Sequence, residues 1–408
     1  MHRVASLILC ATCAALRDGW VVGDVVLGPR RAARTRALRD ASLQRTRESL
    51  EKRWKALDDE VDHLREHRRT IFNDEVKFKR LKREKLYVKD QLAALARRAP
   101  PPSIVLGAGA CGTVYSALHE KTKEPAACKV ARTGEGRKAL KAEYEFLRRA
   151  RKTCGMTVVE PLALLEHVPS SVLPEGEGEG SALLMARLGP SIDDLFWATT
   201  CGAGFSGETV LHIARSMLKA LEGLSKADLV HGDCKPSNFL VSDEDEIILT
   251  DFGTCRERNA PADDAAVVGT PRFASSSALR GEAPSPSDDL EACAYALAYL
   301  LTGRLPFAAD YDDRTTLKAS SDSALADAKD AVAPEQLCAS SRKGETPFDA
   351  AARVCAAFLR EARLARGQGR DPDYAALVPS FSDVEPDWRA AGVSWDDSGA
   401  IHLADYGT

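Results

Sequence analysis

The segment Val230-His-Gly-Asp-Cys-Lys-Pro-Ser-Asn-Phe-Leu240 places a carboxylate, an ammonium and a carboxamide in one short loop. A little further on, Ile247-Ile-Leu-Thr-Asp-Phe-Gly253 adds a second carboxylate directly after an apolar run. Phosphoryl transfer demands a carboxylate that orients a hydroxyl and accepts its proton, a cation near the transferring group, and oxygen ligands for Mg²⁺. All four parts are present. Asp233 is the candidate base, Lys235 the cation, and Asn238 and Asp251 the candidate metal ligands.

Upstream, Leu106-Gly-Ala-Gly-Ala-Cys-Gly-Thr-Val114 fits G-x-G-x-x-G-x-V. Glycines there let a strand-turn-strand bring its backbone amides against a triphosphate, where a side chain would block the approach. Leu106, Gly107, Ala108, Gly109, Ala110, Cys111, Gly112, Thr113 and Val114 are therefore candidate ATP contacts. The pattern alone is weak, and a lysine downstream gives it weight. Lys129 in Ala126-Ala-Cys-Lys-Val130 lies inside an apolar, strand-like stretch, costly unless it meets phosphate oxygens and a carboxylate. Glu143, in the helix-like Lys138 to Arg151 stretch, is the candidate partner, with Glu145 as the alternative.

The order of these motifs and their spacing resemble protein kinases. Leu188-Gly-Pro-Ser-Ile-Asp-Asp-Leu-Phe196, Lys235-Pro-Ser-Asn-Phe-Leu240, Gly269-Thr-Pro-Arg-Phe-Ala-Ser275 and Ser287-Asp-Asp-Leu-Glu291 are similar to segments of the casein kinase 1 family, over about residues 101 to 395. The resemblance implies an α+β, bilobal fold with a small β-rich lobe and a larger helical lobe. It also implies an ATP- and Mg²⁺-dependent enzyme that phosphorylates serine and threonine in protein substrates, acidic or already phosphorylated nearby. Carried over, Met185 is the gatekeeper, Leu188 offers backbone to adenine, Ala127 and Leu240 sandwich the base, and Ser191 and Asp194 lie near the ribose. Asp289 holds the catalytic loop from below, and Arg272 and Lys318 fall where the family binds substrate phosphate.

Departures from the pattern have consequences. His231-Gly-Asp233 lacks the arginine of H-R-D, so the group that pairs with a phosphorylated activation loop is missing. Tyr311-Asp-Asp313 brings acid near the expected phosphate pocket and weakens a preference for primed substrates. Cys111, Cys128, Cys234 and Cys255 flank the motifs and admit two readings, redox-sensitive thiolates or small packing residues.

The rest of the 408-residue chain is less specific. Its net charge of -4 gives no overall pull toward nucleic acid, and no stretch is long and apolar enough to span a membrane. Val4 to Leu16 is a short apolar run that resembles a signal-peptide core or a packing helix; otherwise eleven cysteines without a framework suit cytoplasm or nucleus. Cys10-Ala-Thr-Cys13 lacks the second pair a zinc site needs. From about Arg30 to Arg98 the chain is basic and lacks glycine and proline, with Leu43, Leu50, Leu57, Leu64, Ile71 and Phe78 at heptad spacing. This predicts a helix or coiled coil, with a partner or self-association through 43–95. Ala99-Pro-Pro-Pro-Ser103 ends it. The expected organisation is an apolar segment at 1–28, the helical region at 29–99, a catalytic domain at 100–397 with lobes 100–188 and 189–397, and a tail at 398–408. A small-molecule phosphotransferase, or a non-catalytic scaffold on a kinase-like fold, remains the alternative.

Overall fold

The computed structural model describes residues 20–22, 25–26, 52–53, 55–56, 105–109, 112–119, 122, 124–168, 179–261, 269–307, 322–339, 346–378, 386–395 and 401–402. Leu43, Leu50, Leu57, Leu64, Ile71 and Phe78 of the heptad seam all lie outside the described residues; of the basic region Lys52, Arg53, Lys55 and Ala56 are described, helical and exposed. The apolar run at 4–16 and Cys10 and Cys13 also lie outside them. Among the described residues no helix is long and apolar enough to cross a membrane.

The chain forms two compact units, one running to Arg132 and including Leu165–Ala182, the other comprising Thr133–Leu164 and Leu183 onward. The first is β-rich and the second mostly helical, which is the α+β, bilobal class expected. In the first unit, β1 (Trp20–Val22) and β2 (Val25–Val26) form a hairpin. β3 (Val105–Gly109) and β1 pair with one edge of β4 (Gly112–His119), and β5 (Pro125–Ala131) pairs with its other edge, all antiparallel. Part of the 1–28 segment thus joins the sheet. β6 (Pro161–Val168) and β7 (Gly180–Ala186) follow; β7 is buried from Gly180 to Met185, whereas β6 is only partly covered, with Leu162, Glu166 and His167 exposed. Residues 175–178 of the acidic linker between them lie outside the described residues.

The second unit opens with α1 (Gly134–Cys154), capped by the Thr133 hydroxyl at its start and by Gly155 at its end. Leu140, Glu143, Leu147, Ala150 and Cys154 are its buried residues, a stripe at alternating three- and four-residue steps. The stripe packs on α3 (Gly207–Lys226), where the Cys154 thiol meets the Ala220 carbonyl at 3.7 Å and a Cβ on Gly223 would collide with Cys154. That packing is why α1, placed within the first lobe by sequence, groups with the helical unit. α2 (Ile192–Thr200) and α3 are followed by β8 (Leu229–Val230) and by the hairpin of β9 (Phe239–Val241) with β10 (Ile247–Leu249). β11 (Arg256–Glu257) returns to pair with β8. Then come α4 (Ser276–Leu279), α5 (Pro286–Thr302), α6 (Asp322–Asp330) and α7 (Thr346–Gly367). The short α8 (Asp387–Ala390) precedes the antiparallel pair β12 (Ser394–Trp395) and β13 (Ile401–His402), so the boundary read at 397 falls between two paired strands.

α5 is the centre of this unit. Pro286 sits in its first turn, Ser285 and Asp288 form a capping box, and Gly303 closes it at φ +73°. Every residue from Pro286 to Leu301 is buried, as expected of a helix enclosed by others on all sides. Beside it Phe196 packs on Tyr299 at 5.0 Å and on Phe205 at 5.3 Å, and Phe205 meets Trp388 at 5.8 Å. The Trp388 indole donates to Asp245 at 3.1 Å, tying α8 to the β9–β10 turn. Trp388→Ala is expected to cost about 3–5 kcal/mol of stability from lost burial and the cavity left, read as a shift in the urea midpoint.

Candidate active site

The loop that follows β8 is held from beneath by one carboxylate. The amides of His231 and Gly232 donate to the two oxygens of Asp289 at 2.6 and 2.9 Å. Burial pushes the Asp289 carboxyl above its usual range, opposed by the His231 ring and by these two amides. The His231 ring is buried, edge-on to Phe252 at 4.9 Å between centroids. It accepts from the Asp233 amide through Nδ1 at 3.3 Å and faces the Thr250 carbonyl through Nε2 at 3.0 Å, so one tautomer, with the proton on Nε2, satisfies both contacts.

Three neighbours fix the Asp233 carboxylate. Oδ1 accepts from the Thr270 amide at 2.8 Å, and Oδ2 faces the Lys235 ammonium at 2.7 Å and the Asn238 carboxamide nitrogen at 3.3 Å. Lys235 also donates to the Thr270 hydroxyl at 2.9 Å. Base and cation are therefore held together, with the carboxylate largely removed from solvent. Thr270 is legible in the sequence only as part of a family-like segment, and no sequence signal assigns it this contact. Gly269, at φ +95°, lets the chain pass over the loop, since a Cβ there would collide with the Gly232 carbonyl.

Asn238 ends a short 3₁₀ turn begun by Pro236. Its side-chain nitrogen donates to the Asp233 carbonyl at 2.9 Å, and its own carbonyl accepts from the amide and hydroxyl of Thr250. With the nitrogen committed, the amide oxygen is the end suited to a hard cation. Asp251 is exposed and holds a left-handed backbone at φ +61°, a region aspartate tolerates better than most residues, and buried Phe252 anchors the turn behind it. Among the described residues no three His, Cys, Asp or Glu side chains cluster as a metal cage. Two protein oxygens completed by phosphate and water fit Mg²⁺, which keeps waters and rarely takes an all-protein site.

In the β-rich unit, β3 and β4 carry the described residues of the glycine motif and pair antiparallel, and Lys129 on β5 stands opposite Val114 and is buried. Gly112, at φ +139°, passes so close to β5 that a Cβ would strike the Val130 carbonyl. A Cβ on Gly107 would meet nothing within 4 Å, so no packing contact excludes a side chain there. Ala110 and Cys111 lie outside the described residues. In the helical unit Glu143 is buried on α1, whereas Glu145 is exposed beside Arg148, which favours Glu143 over its alternative.

Of the residues expected around a base and ribose, Met185 is buried and Leu188, Ala127 and Leu240 are half-buried. Ser191 and Asp194 form the capping box that starts α2, with the Ser191 hydroxyl 2.6 Å from the Asp194 carboxylate, so both already have a structural task. The Arg272 guanidinium lies over the Tyr299 ring at 4.3 Å and is half-buried, which places it in packing as well as near the segment expected to meet substrate. Lys318 and Tyr311 to Asp313 lie outside the described residues. The thiolate reading fails for three cysteines. Burial raises Cys128 to about 12 and pushes Cys234 and Cys255 well above the ordinary thiol, so these are packing residues.

A model of the protein kinase domain matches residues 103–344, more than half of the chain, and the chain belongs to that family. Within it the domain is casein kinase 1-like. It is 30% identical over 216 residues to casein kinase I homolog RAG8 of Kluyveromyces lactis, covering 50% of this chain and 38% of that protein. It is 29% identical over 216 residues to casein kinase I homolog 2 of Saccharomyces cerevisiae, covering 50% and 37%, and 34% identical over 155 residues to homolog 1 of the same yeast, covering 35% and 28%. The chain thus spans well under two thirds of the length of these relatives. A second model, described as a protein of unknown function (DUF465), matches residues 48–96, within the basic heptad region.

Proposed function

We propose that this chain is a serine/threonine protein kinase that transfers the γ-phosphate of ATP, with Mg²⁺, to hydroxyls of protein substrates. The observation that carries the reading is the Asp233 carboxylate, fixed between the Thr270 amide, the Lys235 ammonium and the Asn238 carboxamide. A carboxylate so oriented accepts the proton of an incoming hydroxyl as its oxygen bonds to phosphorus and the bridging bond to the ADP leaving group breaks. Lys235 stabilises the charge that develops on the transferred group. Asn238 and Asp251 would hold Mg²⁺, which when bound neutralises phosphate charge. As the resemblance implies, Leu106 to Val114 and Lys129 are the proposed triphosphate contacts, Glu143 the proposed catalytic carboxylate of α1, and Ala127, Met185, Leu188 and Leu240 the proposed contacts to the base.

Serine/threonine specificity is inferred from the casein kinase I relatives, and a preference for acidic or phosphorylated surroundings through Arg272 and Lys318 is what the family resemblance implies. Partnering through residues 43–95 and residence in cytoplasm or nucleus complete the reading; the cysteines described are free thiols, as a reducing compartment favours. The test is transfer of labelled phosphate from ATP to casein and to a phosphoprimed peptide, with analysis of the labelled amino acid. Label on serine or threonine, abolished by EDTA and restored by excess Mg²⁺, is expected. Label on small-molecule hydroxyls alone would favour the phosphotransferase alternative, and no transfer to any acceptor would favour the scaffold.

A further inference from the structure

Lys329 on α6 is completely buried, unusual for a lysine, and its ammonium is fully used. It donates to the carbonyls of Pro271 at 2.7 Å, Arg272 at 3.2 Å and Ala274 at 2.5 Å, one for each of its hydrogens. The rings of Tyr295 and Phe307 lie 4.8 and 5.1 Å away. Charged neighbours come from every side. From α5, Glu291 supplies the countercharge, itself anchored by the Ser276 amide at 3.0 Å and the Tyr295 hydroxyl at 2.7 Å. From α7, Arg363 donates to the Lys329 carbonyl at 2.9 Å. On α6 itself Asp327 and Asp330 are bound by Arg280, and Arg272 stacks on Tyr299.

The three carbonyls belong to a tight turn closed by the amides of Phe273 and Ala274, both donating to the Thr270 carbonyl at 2.9 Å. The other side of that turn is the Thr270 amide and hydroxyl that hold Asp233 and Lys235. One ammonium therefore secures the back of the segment whose front touches the reacting groups.

We propose that Lys329 is a positioning residue: by gathering the carbonyls of Pro271, Arg272 and Ala274 it fixes Thr270 against Asp233 and Lys235, and so sets turnover toward the protein hydroxyl rather than nucleotide affinity. This rests on the kinase reading above, with Asp233 as base. A neutral amine offers two hydrogens to three carbonyls and carries no charge for Glu291 to meet. Burial pulls Lys329 from 10.5 down to about 7, with Glu291 pulling the other way. Turnover then falls as pH rises through that value. Stability moves oppositely. The folded chain holds this proton less tightly than the unfolded chain, so between about 7 and 10.5 this group's contribution to stability grows with pH.

The experiment uses the full chain with ATP, Mg²⁺ and casein. Failure of the wild type to label casein removes the kinase reading and this inference together. With wild-type transfer established, Lys329→Met, of similar length but without donors, is expected to lower kcat by about a hundredfold with KM for ATP unchanged within about twofold. The wild type is expected to lose most of its turnover between about pH 6.5 and 9 while its melting temperature does not fall, and the variant to show a flat profile over that window. A folded variant with wild-type kcat, or one that keeps the wild-type decline, overturns the inference, as does a flat wild-type profile. If Lys329→Met does not fold, Lys329→Gln, uncharged but still a donor, is judged by the same criteria.

Discussion

Asp233→Asn is expected to lower kcat for casein phosphorylation by about 10²–10⁴-fold while leaving the melting temperature and the KM for ATP close to wild type. Asparagine keeps the shape of the side chain and one oxygen, so the Thr270 amide or the Lys235 ammonium still finds an acceptor. It cannot take a proton from the attacking hydroxyl. The loss should therefore fall on the chemical step and be equal in kcat and kcat/KM, as for an interaction made in the transition state. Steady-state kinetics on both substrates would measure it. Transfer that survives this change would remove Asp233 from the role of base.

Asp289→Ala is expected to be the most damaging change away from the reacting groups. It strands the buried amide of His231, whose loss of partner costs about 1–3 kcal/mol, and the partly buried amide of Gly232 beside it. The effect should appear as a lower urea midpoint together with loss of turnover, since the loop carrying Asp233 hangs on these two contacts. The native residue is not optimised for stability alone. Because burial raises its carboxyl above the ordinary 3.8, this group favours folding most when protonated, and its contribution falls as pH rises through the raised value. The ionised carboxylate, with two equivalent oxygens, is the form best suited to accept both amides. A variant with a normal midpoint and normal turnover would refute this account.

The parts of the site that sequence exposes are those contiguous in the chain. Asp233, Lys235 and Asn238 fall within one loop, and their contacts with one another follow from that closeness. The strand around Lys129 and the helix carrying Glu143 are equally readable, from an apolar run interrupted by one charge and from a stripe at helical spacing. Thr270 is not. It reaches Asp233 from 37 positions away, through a turn whose form depends on a lysine still further along. Nothing in the local pattern of Asp322–Asp330, a short charged helix, separates the buried Lys329 from a solvated one, because its burial is decided by α5 and by Phe307 closing over it. The capping box at Ser191 likewise reads in sequence as ligand contact alone, since a cap and a binding pair look the same until the helix start is known.

α5 gives these parts a common mount. Asp288 and Asp289 in its first turn hold the start of α4 and the catalytic loop, Glu291 and Tyr295 face Lys329, and Tyr299 carries Arg272. A rod with no wet side has no place to yield a little at a time. Damage to it reaches base, cation and the Thr270–Ala274 turn at one stroke, so the protein should lose competence in a single step rather than fade through half-working forms.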